Sequence, residues 1–471
     1  MNPLVLPHEK YEEIFARITR LALEYLAAMP QRPSFPDVSG REVDSWFSRE
    51  LPESGDGGGA FDQLTKVIDG CRPNSPRFFG YVFGSGEPVA AAADLLASVL
   101  NQNTTAWRSS PTGITLERLV VGWLAEAIGC RGFSGSLTGG GSPANLMALA
   151  LAREARLPAN ERGARPGTIY ASDQVHMSIP KAVALLGIGR DNLRLIPCDS
   201  EFRIQLDALR DSIANDAKRG LTPIAVVGSA GTVATGSIDP LVELAQIAHE
   251  YRAWLHIDGA YGALAALAQP DKFAGLNQAD SISLDPHKWL YQPLDCGCLL
   301  YRDATTAQRA FSHTGDYAKS LLEDPVESFA FFEESMELSR RFRALKLWLS
   351  LRYHGLGKFR AAIENDLQNA QRLAKLVVQR PELELLAPVP LSAVCFRYVA
   401  NRPATELDAL NRAILQRIVR RGRVFLSNAS IHGSFSLRAC FVNHRTTPAD
   451  VEQIVDETLA VGAEVQSGAQ S

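Results

Sequence analysis

The chain has 471 residues, a net charge of −4 and 46% hydrophobic residues. Its length predicts two or three domains that bury a large core. The slightly negative charge gives no electrostatic basis for binding a nucleic acid or an anionic membrane, so we expect neither as a partner.

The sequence gives no prediction of export, membrane insertion or metal binding. No apolar stretch approaches the roughly 18 residues of a membrane span, and the first 30 residues combine a polar start with an amphipathic helix rather than a signal peptide. Seven scattered cysteines are typical of reduced thiols in the cytoplasm. Cys296 and Cys298 lack a second Cys/His pair at zinc-like spacing, so no metal site is expected.

The predicted elements divide the chain into three parts. Residues 1–87 form a helical segment, with one helix at 11–28. Residues 88–350 form a large α/β domain, in which short apolar strands alternate with helices and predict a mostly parallel sheet covered on both faces. Residues 351–471 form a smaller α+β domain. The strands expected in the large domain are TIYAS (168–172), LRLIP (193–197), PIAVVGS (223–229), AWLHID (253–258), SISLD (281–285) and GCLLYR (297–302).

A glycine-rich stretch, LTGGGSPANLMALALA, begins at residue 137. Its three glycines precede Ser142 and Pro143, and serine is a favoured N-cap while proline is a favoured first helical residue. The stretch therefore predicts a turn into a helix whose free N–H groups can bind an anion. An ordinary strand–helix turn explains it equally well, since it matches neither the Walker loop nor GxGxxG.

Several predicted strands are followed by side chains that could take part in chemistry. Alone, each has an ordinary structural explanation, such as a helix-capping Asp or a structural His. Because the carboxyl ends of parallel strands meet at one edge of a sheet, we expect these side chains to converge on one crevice. The residues are His176, Thr232, Asp258, Ala260 and Lys288, and Ser281 and His287 flank the strand that delivers Lys288.

Together these groups match the requirements of pyridoxal 5′-phosphate (PLP). Its phosphate suits a helix N-terminus, its ring nitrogen stays protonated opposite a carboxylate, and its aldehyde condenses with a lysine amine as a Schiff base. A flat ring also fits between an imidazole and a small residue. PLP therefore explains jointly what each residue leaves open alone.

From about residue 76 to 357 the chain resembles the group II PLP-dependent amino acid decarboxylases, the aromatic-L-amino-acid decarboxylase-like enzymes of PLP fold type I. The pairing of DPHKW with HIDGAY is the most specific part of the resemblance. The resembling stretches, in order, are PRFFGYVFGSG, WRSSPTGITLERLVVGWLAEAIG, GGGSPANLMALALARE, ASDQVHMSIPKA, WLHIDGAYG, ADSISLDPHKWLYQPLDCGCLLYRD and SRRFRALKLWLSLRYHG.

The resemblance implies a role for each candidate residue. Lys288 forms the Schiff base, Asp258 pairs with the pyridinium nitrogen, and Ala260 and His176 pack on the two faces of the ring. Thr232 lies near the oxygen substituent of the cofactor or the substrate carboxylate. The implied phosphate contacts are Gly141, Ser142, Ser281 and His287.

The resemblance further implies the reaction and the assembly. The expected reaction is decarboxylation of an L-amino acid, with an aromatic one as the first expectation, to the amine and carbon dioxide through an external aldimine and a quinonoid. Members of the family are homodimers with sites at the subunit interface, so a homodimer that exchanges the helical segment 1–87 is implied.

The residue that returns a proton to the substrate carbon is less well defined. Family decarboxylases use a loop tyrosine, and an ungapped alignment on SRRFRALKLW places Phe331 at that position, whereas Tyr317 lies nearby in HTGDYAKS. Plant relatives with phenylalanine there resemble aldehyde synthases, which decarboxylate and oxidatively deaminate with oxygen. Both products therefore remain open at this point.

The expected substrate pocket begins at Tyr81. Val82 and Thr105 replace the phenylalanines that aromatic-specific members tend to carry, while Trp107 keeps an aromatic wall. Exchanging a large ring for Val or Thr alters apolar contact by about 1–3 kcal/mol, enough to change substrate preference. An aromatic side chain is the first expectation and a smaller or polar one the second.

Other classes on the same fold are PLP aminotransferases and carbon–sulfur lyases, which often bind the substrate carboxylate with an arginine of the C-terminal domain. Arg438 in SFSLRACF is the candidate for that role here. An inactive scaffold would be marked by a missing Schiff-base lysine, and Lys288 is present.

Overall fold

The computed structural model describes residues 2, 4–313, 324–399 and 402–467. Two separate sheets organise the chain, and each has its own hydrophobic core. Tyr317, one of the two candidates for proton return, lies outside the described residues.

The N-terminal segment contains helices that are mostly exposed. None of the 21 residues of the first helix is buried within the part of the chain that the structure describes. Even the apolar side chain of Leu23 is 62% exposed. Within the chain itself this helix therefore has little to pack against. The helices of this segment are α1 (His8–Ala28), α2 (Gly40–Ser45) and α3 (Leu64–Gly70).

The large sheet has seven strands and is mostly parallel, as expected from the sequence. The strand order is β1-β7-β6-β5-β4-β2-β3, and β7 is antiparallel to both of its neighbours. Its central strands are buried along their whole length, which explains their continuous apolar sequences. The strands are β1 (Ser134–Thr138), β2 (Gly167–Ser172), β3 (Leu193–Ile196), β4 (Thr222–Ser229), β5 (Trp254–Asp258), β6 (Ser281–Leu284) and β7 (Gly297–Tyr301).

Helices cover this sheet and connect its strands. The central one, α6, contacts the sheet through nine buried residues and begins at the glycine-rich turn. The helices of this part are α4 (Pro88–Leu100), α5 (Pro111–Ala127), α6 (Gly141–Arg156), α7 (Ser178–Leu185), α8 (Leu206–Lys218), α9 (Leu241–Glu250), α10 (Pro286–Trp289), α11 (Ala304–Phe311) and α12 (Arg343–His354).

The smaller sheet has four antiparallel strands in the order β10-β11-β9-β8 and three long helices around it. This agrees with the predicted α+β character of the C-terminal region, while the division of the chain at 87/88 and 350/351 stays a prediction. The elements are β8 (Leu383–Leu385), β9 (Ala393–Tyr398), β10 (Ser427–Ile431), β11 (Ser434–Cys440), α13 (Leu356–Val378), α14 (Ala404–Arg421) and α15 (Pro448–Gln466).

Strand β1 was not predicted, because its sequence SGSLT lacks the β-branched and aromatic residues that favour strands. Its small residues serve close packing instead: a Cβ on Gly135 would lie 2.2 Å from the Leu299 carbonyl oxygen of the neighbouring strand. None of the helices in the described ranges is long and apolar enough to cross a membrane.

Candidate active site

A cavity of about 280 Å³ lies at the carboxyl ends of the central strands, where the sequence predicts convergence. A more open groove of about 560 Å³ beside α13 is lined by other residues, including Lys272 and Arg372. The predicted residues that line the cavity are Gly141, Ser142, His176, Thr232, Asp258, Ala260, His287 and Lys288.

One wall of the cavity is the glycine-rich turn at the start of α6. Gly140 adopts a φ of +128°, which disfavours any residue with a side chain. A Cβ on Gly141 would lie 2.7 Å from the Ala260 Cβ, so glycine is needed for the turn to approach the end of β5. The first N–H groups of α6 therefore border the cavity at the place where the sequence predicts an anion site.

Lys288 projects into the cavity from the short helix α10. Its Nζ lies 2.8 Å from the Oδ2 of Asp285, which is 2% exposed and precedes the same helix. The Oδ1 of Asp285 has no hydrogen-bond partner within the described residues. The lysine is therefore held by a buried carboxylate that the sequence analysis did not single out.

Asp258, at the end of β5, is held by three donors. Its Oδ2 accepts a hydrogen bond from Asn145 Nδ2 at 2.9 Å, and its Oδ1 accepts from Ser283 Oγ at 3.1 Å and from the Ala260 amide at 3.2 Å. These three hydrogen bonds fix the orientation of the side chain, which presents a carboxylate to the cavity.

A chain of buried hydrogen bonds runs behind Asp258. Asn145 Oδ1 lies 2.9 Å from His256 Nε2, and His256 Nδ1 lies 3.0 Å from Ser281 Oγ, which accepts from Trp254 Nε1 at 2.8 Å. Burial lowers the pKa of His256 to about 4, so this ring is neutral. A neutral ring that donates through Nε2 leaves the Asn145 amide oriented with its N–H toward Asp258.

These hydrogen bonds contradict the prediction that Ser281 holds the phosphate. Ser281 begins β6, so it lies at the opposite end of the strand from the cavity, and its hydroxyl is occupied by Trp254 and His256. The error arises because the residue was assigned by resemblance, whereas its place at the start of a parallel strand directs it away from the carboxyl edge.

His176 and Thr232 border the cavity from two loops. His176 Nδ1 lies 2.8 Å from Ser178 Oγ, and burial lowers the pKa of this histidine, so its ring is neutral at neutral pH. Thr232 is fixed in a tight turn: its Oγ1 accepts from the Ser237 amide at 3.1 Å and lies 3.0 Å from Thr235 Oγ1. Both side chains are therefore held in place by their own loops.

Arg438 of β11 fastens the Thr232 loop to the N-terminal part of the chain. Its guanidinium donates to the carbonyl oxygens of Val233 at 2.5 Å, Ala234 at 3.0 Å and Tyr81 at 3.2 Å. These three backbone acceptors occupy the guanidinium. Arg438 thus shapes the cavity wall without presenting its charge to the interior.

Phe331 does not line the cavity of this chain, and its position opposite the reacting carbon stays a prediction. Its ring is fully buried, 4.3 Å from the Arg340 guanidinium and 4.9 Å from the Phe329 ring, and its amide donates to the Thr105 carbonyl at 2.8 Å.

The four predicted substrate contacts also lie outside the cavity of this chain. Thr105 and Trp107 belong to a segment hydrogen-bonded to residues 329–331. Tyr81 is 57% exposed and packs on Phe78, while Val82 packs against the core of the large domain. Within a single chain they therefore form no substrate wall, because separate loops carry them away from the strand ends.

Two important residues were missed by the sequence analysis, Asp285 and Asn145. Asp285 stands in the DPHKW motif three residues before Lys288, the spacing that brings side chains together on a helix. Asn145 is four residues after Gly141, at the start of the second turn of α6. Both residues lie within the motifs that carry the resemblance.

The residues at the cavity fit PLP. The glycine cradle excludes side chains where a phosphate would approach the start of α6, and a lysine, an oriented carboxylate and a neutral imidazole surround the remaining space. These features are the groups that a phosphorylated pyridine aldehyde requires.

Comparison with known proteins agrees with this fit. Residues 61–399 match the pyridoxal-dependent decarboxylase conserved domain. Aromatic-L-amino-acid decarboxylase of Bacillus atrophaeus is 32% identical over 98% of this chain and 97% of its own length. Phenylacetaldehyde synthase of Petunia hybrida is 32% identical over 77% of this chain and 76% of its own.

Solved structures agree as well. The crystal structure of Oryza sativa TDC with PLP and tryptamine superimposes with a TM-score of 0.92 at 26% identity, covering 99% of each chain. PLP is accordingly the cofactor, and the enzyme is a carboxy-lyase that acts on an amino acid. The chain belongs to the family of pyridoxal-dependent amino acid decarboxylases.

Proposed function

We propose that the enzyme converts an aromatic L-amino acid to its amine and carbon dioxide. The observation that carries this proposal is the convergence of Lys288 and Asp258 on one cavity beside the N-terminus of α6. The name of the Bacillus atrophaeus relative supports an aromatic substrate. The second candidate is a smaller or polar amino acid, supported by Val82 and Thr105 in place of large rings.

The cavity residues have distinct proposed tasks. Lys288 provides the amine that bonds to the PLP aldehyde, and Asp258 keeps a proton on the ring nitrogen. Bound PLP supplies an electron sink for the electron pair left when carbon dioxide departs. The neutral His176 contacts the ring without adding a positive charge. The remaining proposed contacts are Gly141, Ser142 and His287 with the phosphate, Ala260 with the ring, and Thr232 with the ring oxygen or the substrate carboxylate.

The contacts of Arg438 favour a decarboxylase over an aminotransferase or a carbon–sulfur lyase. An arginine that binds the substrate carboxylate must have free donors, and the Arg438 guanidinium is bonded to the carbonyls of Tyr81, Val233 and Ala234. Absence of any dependence on a 2-oxo acid co-substrate is the expected outcome of an assay.

We also propose that the enzyme is a homodimer located in the cytoplasm. The exposed apolar residues of α1 and of α4, including Leu96 and Val99, support a second copy as their partner. A second copy could carry Tyr81, Val82, Thr105 and Trp107 to the neighbouring cavity. All seven cysteines are free thiols, which suits a reducing compartment. Light scattering at micromolar concentration tests the dimer.

The proposed product is the amine, which requires one proton to replace the departing carboxyl group. Tyr317 is the proposed source of that proton. The alternative product is the aldehyde, formed with consumption of oxygen and water and release of ammonia and hydrogen peroxide. The name of the Petunia hybrida relative supports this alternative.

The deciding experiment incubates the purified enzyme with a panel of L-amino acids and follows carbon dioxide, amine, aldehyde and peroxide together. We expect an aromatic substrate to give equal amounts of amine and carbon dioxide. Borohydride treatment followed by peptide mapping should attach the cofactor to Lys288, and Lys288→Ala should abolish both the attachment and the turnover. Attachment at a different lysine would refute the assignment of the site.

A further inference from the structure

We propose that Ser178 is a positioning residue that holds the ring hydrogen of His176 on Nε2, so that the ring offers an N–H donor to an anionic oxygen of bound PLP or substrate. The inference rests on the proposed place of His176 beside the cofactor ring, and it adds the direction of the hydrogen bonds that this ring makes. Its basis is a pair of donors that occupy the Nδ1 side of the ring.

The first donor to Nδ1 is a backbone amide. The amide nitrogen of Ser178, at the start of α7, lies 3.2 Å from His176 Nδ1. A backbone N–H only donates, so Nδ1 is the acceptor in this bond and carries no hydrogen itself. In a neutral imidazole one nitrogen accepts and the other carries the hydrogen, which places the hydrogen of His176 on Nε2.

The second donor is the Ser178 hydroxyl, whose direction is set by Asn145. Ser178 Oγ lies 2.8 Å from His176 Nδ1 and 2.9 Å from Asn145 Nδ2. The Asn145 amide nitrogen has two hydrogens, and it donates one to Asp258 Oδ2 at 2.9 Å and the other to Ser178 Oγ. Since the hydroxyl accepts from Asn145, its own hydrogen is left to be donated to Nδ1.

Burial sets the charge of the His176 ring. It has the largest effect on the pKa of this histidine and lowers it. The carboxylates of Asp258 and Asp285 act in the opposite direction, whereas the ammonium groups of Lys288 and Lys181 also lower the pKa. The pKa lies below its ordinary value as a result, so at neutral pH the ring carries a single hydrogen.

The Nε2 side of the ring is left for a ligand. Within the described residues, both hydrogen bonds of the His176 ring are made by Nδ1, and the side chain lines the cavity. An N–H group pairs with an acceptor such as a carboxylate or phenolate oxygen, and it cannot pair with an ammonium group. The ligand group expected opposite Nε2 is therefore an anionic oxygen.

The test is nitrogen NMR of the cofactor-free enzyme, produced with isotope-labelled histidine. The chain has nine histidines, and the two ring signals that disappear in His176→Gln belong to His176. Near neutral pH, we expect Nδ1 to resonate as a nitrogen without hydrogen and Nε2 as one that carries it. A hydrogen on Nδ1, or a ring protonated on both nitrogens, would overturn the proposal. This measurement needs no variant of Ser178.

Ser178→Ala removes one of the two donors to Nδ1 and keeps the backbone N–H. The population with the hydrogen on Nδ1, relative to that with the hydrogen on Nε2, should rise about fivefold, which corresponds to one net hydrogen bond. Ser178→Thr keeps a hydroxyl and should restore the unaltered ratio. An unchanged ratio in Ser178→Ala would contradict the positioning role.

Ser350→Ala is the matched control. Ser350 is buried like Ser178, and its hydroxyl accepts from Gln292 Nε2 at 3.2 Å. This variant therefore loses a buried hydroxyl that has no bond to His176, and the two His176 signals should stay where they are. A shift of the ratio equal to that in Ser178→Ala would show a general effect of lost packing and would overturn the assignment to Ser178.

A second measurement follows the Nε2 signal of the unaltered enzyme as ligands are added, first PLP and then hydrocinnamate, an aromatic carboxylate that lacks the amine. A ring N–H that begins to donate moves its nitrogen signal downfield. Movement on addition of PLP assigns the acceptor to a cofactor oxygen, and movement on addition of hydrocinnamate assigns it to the substrate carboxylate. A signal that moves at neither step overturns the donor role.

Failure of this inference is distinguishable from failure of the proposed function. If borohydride does not attach PLP to Lys288, the proposed function fails, whichever nitrogen of His176 carries the hydrogen in the cofactor-free protein. If attachment succeeds and the hydrogen is on Nδ1, the role of Ser178 alone fails.

Discussion

Asn145 lies between Asp258 and His256, with its Nδ2 2.9 Å from the Asp258 Oδ2 and its Oδ1 2.9 Å from the His256 Nε2. One amide side chain therefore connects the carboxylate proposed to face the cofactor nitrogen with a neutral histidine deeper in the sheet. All three residues are buried. If the amide were removed, bulk water could therefore not take its place as the hydrogen-bond partner of Asp258 and His256.

Replacement of Asn145 by alanine should weaken both cofactor binding and folding. A buried polar group that loses its partner costs about 1–3 kcal/mol, which corresponds to a loss in PLP affinity of about 5- to 150-fold where the cost falls on the PLP-bound state. Spectroscopic titration with PLP and urea unfolding of the cofactor-free protein measure the two effects. Asn160→Ala, on an exposed loop, is the control and should leave PLP affinity unchanged. Unchanged affinity in Asn145→Ala would refute the positioning role.

Removal of the Asp258 carboxylate should lower turnover more than removal of the Asn145 amide does. We expect Asp258→Ala to lower kcat by orders of magnitude while the protein stays folded, because the ring nitrogen would then lose the group that keeps it protonated. Steady-state kinetics at saturating PLP, with circular dichroism as a check of folding, measure this. Near-full activity with bound PLP would show that another group performs the task.

The buried ion pair between Glu117 and Arg340 should be essential for stability. Both side chains are 1% exposed, and Arg340 also donates to the Thr104 and Leu137 carbonyls at 2.8 and 2.9 Å. Arg340→Met leaves the Glu117 carboxylate unpaired and should cost about 3–5 kcal/mol in urea unfolding.

Two further variants test whether the loss of stability in Arg340→Met comes from a buried, unpaired charge. Adding Glu117→Leu to Arg340→Met removes the unpaired charge, so it should recover part of the lost stability. Arg131→Ala breaks a pair with Glu126 in which the arginine side chain is 83% exposed, and it should change stability by about 1 kcal/mol or less. Equal losses for Arg340→Met and Arg131→Ala would contradict the importance of burial.

A pH dependence of stability should arise from Asp366. This residue is fully buried on α13, accepts a hydrogen bond from the Tyr291 hydroxyl at 2.8 Å, and has its pKa raised by burial to about 7. The folded state therefore holds a proton that the unfolded chain releases above its ordinary pKa near 4. Stability from this group is present at low pH and is lost as the pH rises to about 7.

Asp366→Asn should remove this dependence. Its free energy of unfolding relative to the unaltered enzyme should rise between about pH 4 and 7, by an amount on the order of a few kcal/mol, and stay constant above. Urea unfolding across the pH range measures the difference. In Tyr291→Phe the carboxylate loses a donor, so the upper end of the window should move to higher pH. A pH-independent difference for Asp366→Asn would be evidence against a buried proton.

The sequence predicts the large sheet well because its central strands are buried on both faces and are therefore continuously apolar. The convergence of Lys288, Asp258 and His176 follows from the rule that active groups gather at carboxyl ends of parallel strands. These parts depend on local sequence and on topology, and both can be read from one chain.

The errors have a different physical origin. Ser281 has the right sequence position but begins its strand, so its hydroxyl turns to Trp254. The roles of Phe331 and Trp107 stay predictions, because both lie on loops whose paths depend on contacts between distant parts of the sequence, such as the bond from the Trp107 amide to the Phe329 carbonyl. The sequence does not predict the contact between Asp285 and Lys288, because the distance between an acidic residue and a nearby lysine is known only from the structure.

The bonds from Arg438 to Val233 and Tyr81 have a consequence for the evolution and engineering of the enzyme. Arg438 lies beyond residue 399, where the match to the conserved domain ends. A chimera that joins the first 399 residues to the C-terminal region of a relative would need an equivalent guanidinium at this strand position. The two regions are thus expected to diverge together and to resist recombination at their boundary.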